Sequence, residues 1–206
     1  MSGKSRKVLV ASRNAKKLAE LRRVLATAGI DGLDVIGLDE VPEFPETPET
    51  GATFEDNAIV KAVDGAAATG LPCVADDSGL EVDALNGMPG VLSARWSGRH
   101  GDDDANTALL LAQLSDTPDE RRGGAFVSAC ALAIPGRDTV VVRGEWRGRI
   151  VREPRGDNGF GYDPVFLPDG DDRTSAQLTP AEKDAASHRG RALAQLVPTL
   201  AELARG

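Results

Sequence analysis

Four short stretches of this chain carry residue types whose spacing could do chemistry. Ser12, Arg13, Asn14, Ala15, Lys16 and Lys17 stand where an apolar run, residues 8–11, gives way to a helical pattern. A helix start leaves backbone N–H groups unpaired and projects positive potential. It can therefore hold an anion, and Ser12, Asn14 and Lys17 could add side-chain donors to phosphate oxygens. The stretch fits neither G-x-x-x-x-G-K-S/T nor G-x-G-x-x-G. On the competing reading Asn14 only caps the helix and the lysines are solvated.

Asp76, Asp77, Ser78 and Gly79 close a second apolar run, residues 71–75, which reads as a buried strand. Adjacent carboxylates at the carboxyl end of such a strand are costly unless a cation or hydrogen-bond donors meet them, and open α/β sheets place ligands at strand ends. Mg²⁺ coordination is the economical explanation, and an Asp-rich turn is the alternative. Glu49, in a Pro-rich loop that also carries Glu43 and Glu46, could add a carboxylate, although these glutamates also read as a solvated acidic loop.

The third stretch, Phe160, Gly161, Tyr162 and Asp163, sets aromatics beside glycines that let a backbone approach something closely. An aromatic so placed can stack on a flat base, or can plug a loop with apolar surface. In the fourth, Lys183 lies near the start of a capped helix, where the dipole disfavours a cation, so a nearby anion would rationalise it. His188 and Arg189 offer donors to carbonyl oxygens, or else belong to a polar helix face.

The elements that must position these residues follow from pattern. Residues 8–11 and 33–38 read as strands, with a helix over 14–28 between them. Thr53 and Asp56 have capping-box spacing before an Ala-rich helix to Thr69. Asp102, Asp103 and Asp104 form the acidic first turn of a helix to Leu114. Residues 123–134 and 139–151 read as two long strands joined by a hairpin turn. Loop chemistry dominates residues 154–173, and Thr179, Pro180 and Glu182 open a helix that runs to about Ala204. Strand–helix alternation followed by a hairpin predicts an α/β or α+β domain on a mixed sheet.

The chain has 206 residues, 24 Lys and Arg against 32 Asp and Glu, and 41% hydrophobic residues, a composition that excludes intrinsic disorder. The net charge of -8 argues against a partner that is nucleic acid or an anionic membrane. Cys73 and Cys130 each sit in an apolar run and support no disulfide framework. The basic start, residues 1–7, is followed by too short an apolar run for a signal peptide, and no stretch is long enough to span a membrane. The cytoplasm is the expected compartment.

In this order, the stretches resemble the noncanonical purine nucleoside triphosphate pyrophosphatases of the RdgB type, the inosine/xanthosine triphosphatase family. The marks are S/T-x-N-x-x-K at Ser12, Asn14 and Lys17; E-T/S-G at Glu49, Thr50 and Gly51; T-F-x-x-N-A-x-x-K-A from Thr53 to Ala62; and A-D-D-S-G-L from Ala75 to Leu80. G-x-P-G at Gly87, S-A-R-W at Ser93, G-F-G-Y-D-P at Gly159 and S-H-R-G at Ser187 complete the set. Arg13 departs from it, since many relatives carry glycine there.

The resemblance implies one ITPase-like α/β domain, residues 1–206, whose long mixed twisted sheet and flanking helices form two lobes around a ligand cleft. It implies hydrolysis of ITP, dITP and XTP to the monophosphate and pyrophosphate, with Mg²⁺ and as a homodimer. By the same resemblance Ser12, Asn14 and Lys17 hold the triphosphate with Lys61 and Lys183, and Glu49 and Asp77 bind metal. Asp77 also takes the proton of the attacking water beside Asp76. Ser78 touches substrate, and Phe160, Gly161, Tyr162, Asp163, His188 and Arg189 form the purine pocket. A Maf-like pyrophosphatase of pyrimidine nucleotides would lack the Ser-His-Arg signature, and the Asp76, Asp77 pair weighs against a silent nucleotide sensor.

Overall fold

The computed structural model describes residues 5–45 and 48–205; residues 1–4 of the basic start and Glu46 of the acidic loop lie outside them. Among the described residues six strands, β1 (Arg6–Val10), β2 (Leu33–Ile36), β3 (Cys73–Val82), β4 (Gly123–Ala133), β5 (Val140–Ile150) and β6 (Phe166–Pro168), form one mixed sheet in the order β2-β1-β3-β4-β5-β6. Five α-helices accompany it: α1 (Ala15–Thr27), α2 (Phe54–Thr69), α3 (Asp103–Gln113), α4 (Pro180–Ala186) and α5 (His188–Arg205). No helix among these residues is long and apolar enough to cross a membrane.

Parallel neighbours need a crossover, and α1 and α2 supply the two required here. Strand β1 pairs in parallel with β2, with Val8 opposite Val35, and with β3, with Leu9 opposite Cys73. Helix α1 starts where Asn14 Oδ1 accepts from the Lys16 N–H, and α2 starts at the capping box of Thr53 and Asp56.

The chain divides into two compact units. The first comprises Met1–Asp77, Ser128–Gly144 and Arg189–Gly206. Its core joins Val8 and Val10 of β1, Leu21 and Leu25 of α1, and Leu193, Leu196, Leu200 and Leu203 of α5, at the three- and four-residue spacing that puts side chains on one helix face. The second comprises Ser78–Val127 and Glu145–His188. Its core gathers Leu80, Leu110, Leu114, Phe126, Trp146 and Phe166, with the Phe126 and Phe166 ring centroids 4.5 Å apart.

Three expectations need correction. The strand that residues 71–75 announce does not end at the acids: β3 runs to Val82, so Asp76 and Asp77 sit in mid-strand. Asp-Ser-Gly favours a turn, but local preference loses to a tertiary bond, since Ser93 Oγ accepts the Leu80 N–H at 2.9 Å. Gly79 makes that approach possible, because a Cβ there would meet Ser93 Oγ at 2.3 Å and Gly90 O at 2.8 Å. The stretch 154–173 is not all loop, as β6 pairs antiparallel with β5. The terminal helix is broken at Ser187, which is extended (φ -63°, ψ 146°) and separates α4 from α5 with neither proline nor glycine at the break. Burial of Ser187 and the stacking of His188 on Phe126 accompany that break, so packing overrides helix propensity here.

Candidate active site

In the first unit the turn from β1 into α1 is built by its own polar side chains. The Asn14 N–H donates to Ser12 Oγ at 3.1 Å, and the Lys16 N–H donates to Asn14 Oδ1 at 2.9 Å. Asn14 therefore does cap the helix. Residues 13–16, with Arg13, Ala15 and Lys16 among them, are exposed, so the helix start is open to a ligand. Lys17 is not solvated as the competing reading held: its Nζ lies 2.8 Å from Asp76 Oδ2.

Consecutive side chains of a strand point to opposite faces, and the two aspartates accordingly meet different helices. Asp76, 8% exposed, takes Lys17 of α1 and the Nη2 and Nε of Arg189 of α5, at 2.9 and 3.1 Å. Arg189 in turn reaches Glu20 at 3.5 Å. Asp77 takes the Nδ2 of Asn57 from α2 at 2.8 Å. Lys61, one turn further along α2, serves the backbone of the first and the carboxylate of the second: its Nζ is 2.7 Å from Asp76 O, 3.7 Å from Asp77 Oδ1 and 2.8 Å from Glu49 Oε1.

These surroundings drive the two carboxyls apart. Burial raises both, but at Asp76 Arg189, then Lys17 and Lys61, outweigh it and hold the group well below the usual carboxylate range. At Asp77 burial prevails, reinforced by the charges of Glu49 and Asp76, and its pKa rises despite Lys61 and the Asn57 bond. Titratable neighbours pushed in opposite directions are an arrangement that acid–base chemistry can use.

A hard divalent cation fits beside Asp77. Asp77 and Glu49 are oxygen donors of the class such ions take, and both already approach one positive group, the Lys61 ammonium. Among the described residues no group of three or more His, Cys, Asp or Glu converges on a point. Further ligands would therefore come from water and from phosphate oxygens, as is usual for such ions.

The second unit holds the aromatic stretch. Phe160 is 64% exposed, and Lys183 Nζ lies 4.9 Å from its ring centroid. The Phe160 N–H donates to Asp163 Oδ2 at 2.8 Å, Lys183 forms an ion pair with the same oxygen, and Ser175 Oγ donates to Asp163 Oδ1 at 2.8 Å. Asp163 is thus the anion that rationalises Lys183. Tyr162 is buried; its hydroxyl donates to Ser93 O at 2.9 Å, and burial, with Asp103 nearby, raises its pKa. His188 stacks on Phe126 at 5.3 Å and 19°. Ser78 is half-buried on β3.

The expected residues thus gather into two groups. Lys17, Glu49, Lys61, Asp76, Asp77 and Arg189 cluster in the first unit; Phe160, Gly161, Tyr162, Asp163, Lys183 and His188 belong to the second. Arg189, expected beside His188 in the purine pocket, has its guanidinium on Asp76 and Glu20. Two contributors escaped the sequence reading, Asn57 and Glu20. Asn57 is buried, donates to Asp77 and accepts the Gly51 N–H at 2.8 Å, tying the Glu49 loop to the acid. Its signal was present: Asn57 and Lys61 are an i, i+4 polar pair on an Ala-rich helix. Glu20 likewise lies three residues beyond Lys17.

The profile of the Ham1 family matches residues 8–199. This chain belongs to that family. It is 74% identical over 198 residues to a dITP/XTP pyrophosphatase of Nocardia farcinica, covering 96% of each chain. It is similar to the crystal structure of the nucleoside-triphosphatase, dITP/XTP pyrophosphatase, of Mycobacterium abscessus, with 70% identity, a TM-score of 0.82, and coverage of 94% of this chain and 99% of that one. It also resembles the Staphylococcus aureus Ham1 protein, with 39% identity, a TM-score of 0.87, and coverage of 96% and 100%.

Proposed function

We propose that this protein hydrolyses the noncanonical purine nucleoside triphosphates ITP, dITP and XTP to the monophosphate and pyrophosphate, clearing them from the nucleotide pool. The observation that carries this reading is the pair on β3, Asp76 held by the cations Lys17 and Arg189 and Asp77 bonded by Asn57 beside Glu49, with two lysines, Lys17 and Lys61, able to meet phosphate.

The open start of α1 and Lys17, with Lys61 and Lys183, bind the triphosphate. Asp77 takes a proton from water as the water oxygen bonds to the α-phosphorus and the bond to the bridging oxygen breaks, so that pyrophosphate leaves. Glu49 and Asp77 would hold Mg²⁺, which when bound neutralises charge developing on the phosphate oxygens. Asn57 orients Asp77, and Asp76 keeps Lys17 and Arg189 in place. Ser78 contacts the substrate. Phe160 gives the purine a stacking face, and His188 donates toward its 6-oxo group, with Gly161, Tyr162 and Asp163 shaping that loop. Arg189 was expected to read the base as well, and here it acts first on Asp76. The reading includes a homodimer in the cytoplasm, with neither nucleic acid nor membrane as partner, on the strength of the resemblance and the acidic balance.

The test is a panel of ITP, dITP, XTP, GTP and ATP with Mg²⁺, scored for monophosphate and pyrophosphate. Preferential turnover of the first three is expected. Equal turnover of ATP, or release of orthophosphate alone, would overturn the reading.

A further inference from the structure

The first turn of α3 is more than the acidic helix start that its three aspartates suggest. Asp102 is the cap, its Oδ1 accepting the Ala105 N–H at 3.2 Å. Asp103 turns instead to the loop of Phe160 and accepts the Gly161 N–H at 2.7 Å. One turn along the same face, Thr107 Oγ1 donates to the Gly161 carbonyl at 3.4 Å. Both backbone polar groups of Gly161, a residue at φ +60°, are therefore held by α3.

The helix is itself anchored. Asn106, 1% exposed, accepts the Ser97 N–H at 2.7 Å and donates to Ala94 O at 3.3 Å. Tyr162, on the other side of Gly161, is tied to Ser93 of that neighbouring segment. Phe160 has no such burial: its ring is exposed with Lys183 Nζ 4.9 Å from its centroid, and Asp163 holds its backbone, Oδ2 accepting the Phe160 N–H at 2.8 Å and the Asp163 N–H donating to the Phe160 carbonyl at 3.3 Å. The peptide that follows Phe160, which limits where the ring can be presented, is the part of this loop that α3 holds.

We infer that Asp103 and Thr107 are positioning residues for recognition of the base, holding Gly161 so that the Phe160 ring is already oriented when a purine arrives. This rests on the reading of Phe160 as the stacking face. Preorganisation of a binding loop lowers the cost of ordering it on association, so its loss falls on binding rather than on the chemical step.

Steady-state kinetics with ITP and Mg²⁺ would test this on Asp103→Ala, Asp103→Asn, Phe160→Ala and the Asp103→Ala, Phe160→Ala double variant, with thermal melting to confirm folding. Asp103→Ala should raise KM about tenfold, the scale of one charge-assisted hydrogen bond, with kcat within about threefold. Asp103→Asn, which keeps an acceptor oxygen, should restore most of the loss. On the Phe160→Ala background Asp103→Ala should add nothing. Parental KM in Asp103→Ala while Phe160→Ala raises it would overturn the inference alone, as would full additivity or a loss confined to kcat. Parental KM in Phe160→Ala would overturn the stacking reading itself, and with it the route by which Asp103 acts.

Discussion

Asp76 and Asp77 follow one another on β3, yet their carboxylates keep separate company: Lys17 and Arg189 meet the first at 2.8 and 2.9 Å, while Asn57 donates to the second at 2.8 Å. A pair that the sequence presents as one acidic unit is two environments, one among the cations of α1 and α5 and one beside Asn57 of α2, and on the proposed reading they have different tasks.

Asp77→Asn should therefore leave the fold intact and lower kcat by roughly 10²-fold to 10⁴-fold, the scale of a lost acid–base group. Near-parental turnover in a folded variant at saturating Mg²⁺ would remove Asp77 from its role.

Asp76→Ala should instead be read in stability. It strands the charges of Lys17 and Arg189, and breaking such a buried pairing costs about 3–5 kcal/mol. The sign with pH follows from the depressed pKa. The stability Asp76 contributes is complete above the unfolded value of about 3.9 and is lost as pH falls below it toward the folded value. Melting curves of the parent should steepen in their pH dependence below about pH 4, and those of Asp76→Asn should be flatter in the same window. Identical pH profiles would contradict the assignment.

Lys17→Ala should weaken ITP far more than inosine, because on the proposed reading Lys17 meets phosphate charge and not the base. The loss should shrink at high salt, since the helix start it serves is open to solvent. A binding titration showing equal losses for both ligands would separate Lys17 from the triphosphate.

His188→Ala and Arg189→Ala should part company. His188→Ala should narrow the ratio of kcat/KM for ITP over ATP, and should lower the melting temperature because the ring stacks on Phe126 of the core. Arg189 anchors Asp76, so its removal should lower the melting temperature and turnover together. If both variants keep the parental ITP-to-ATP ratio, neither residue reads the base.

Much of this site was legible in the sequence because its signals are local. The cap at Asn14, the box at Thr53 and Asp56, and the aromatic–glycine loop each depend on neighbours a few residues away. What escaped depends on distant partners. Asp-Ser-Gly reads as a turn until Ser93, from another segment, bonds to Leu80 and keeps the chain extended. The helix break at Ser187 has no breaker residue, only packing. The resemblance puts Arg189 with His188 in one pocket, but the His188 ring lies on Phe126 and the Arg189 guanidinium on Asp76. A polar residue on a helix normally faces water, whereas Asn57 and Glu20 are buried by partners distant in sequence.

The central claim, that water activated at Asp77 attacks the α-phosphorus, is tested most directly by hydrolysing ITP in ¹⁸O-labelled water and reading both products by mass spectrometry. The account predicts one ¹⁸O per turnover in the phosphate of IMP and none in pyrophosphate. Label in pyrophosphate would place the attack on the β-phosphorus and contradict the arrangement built around Asp77.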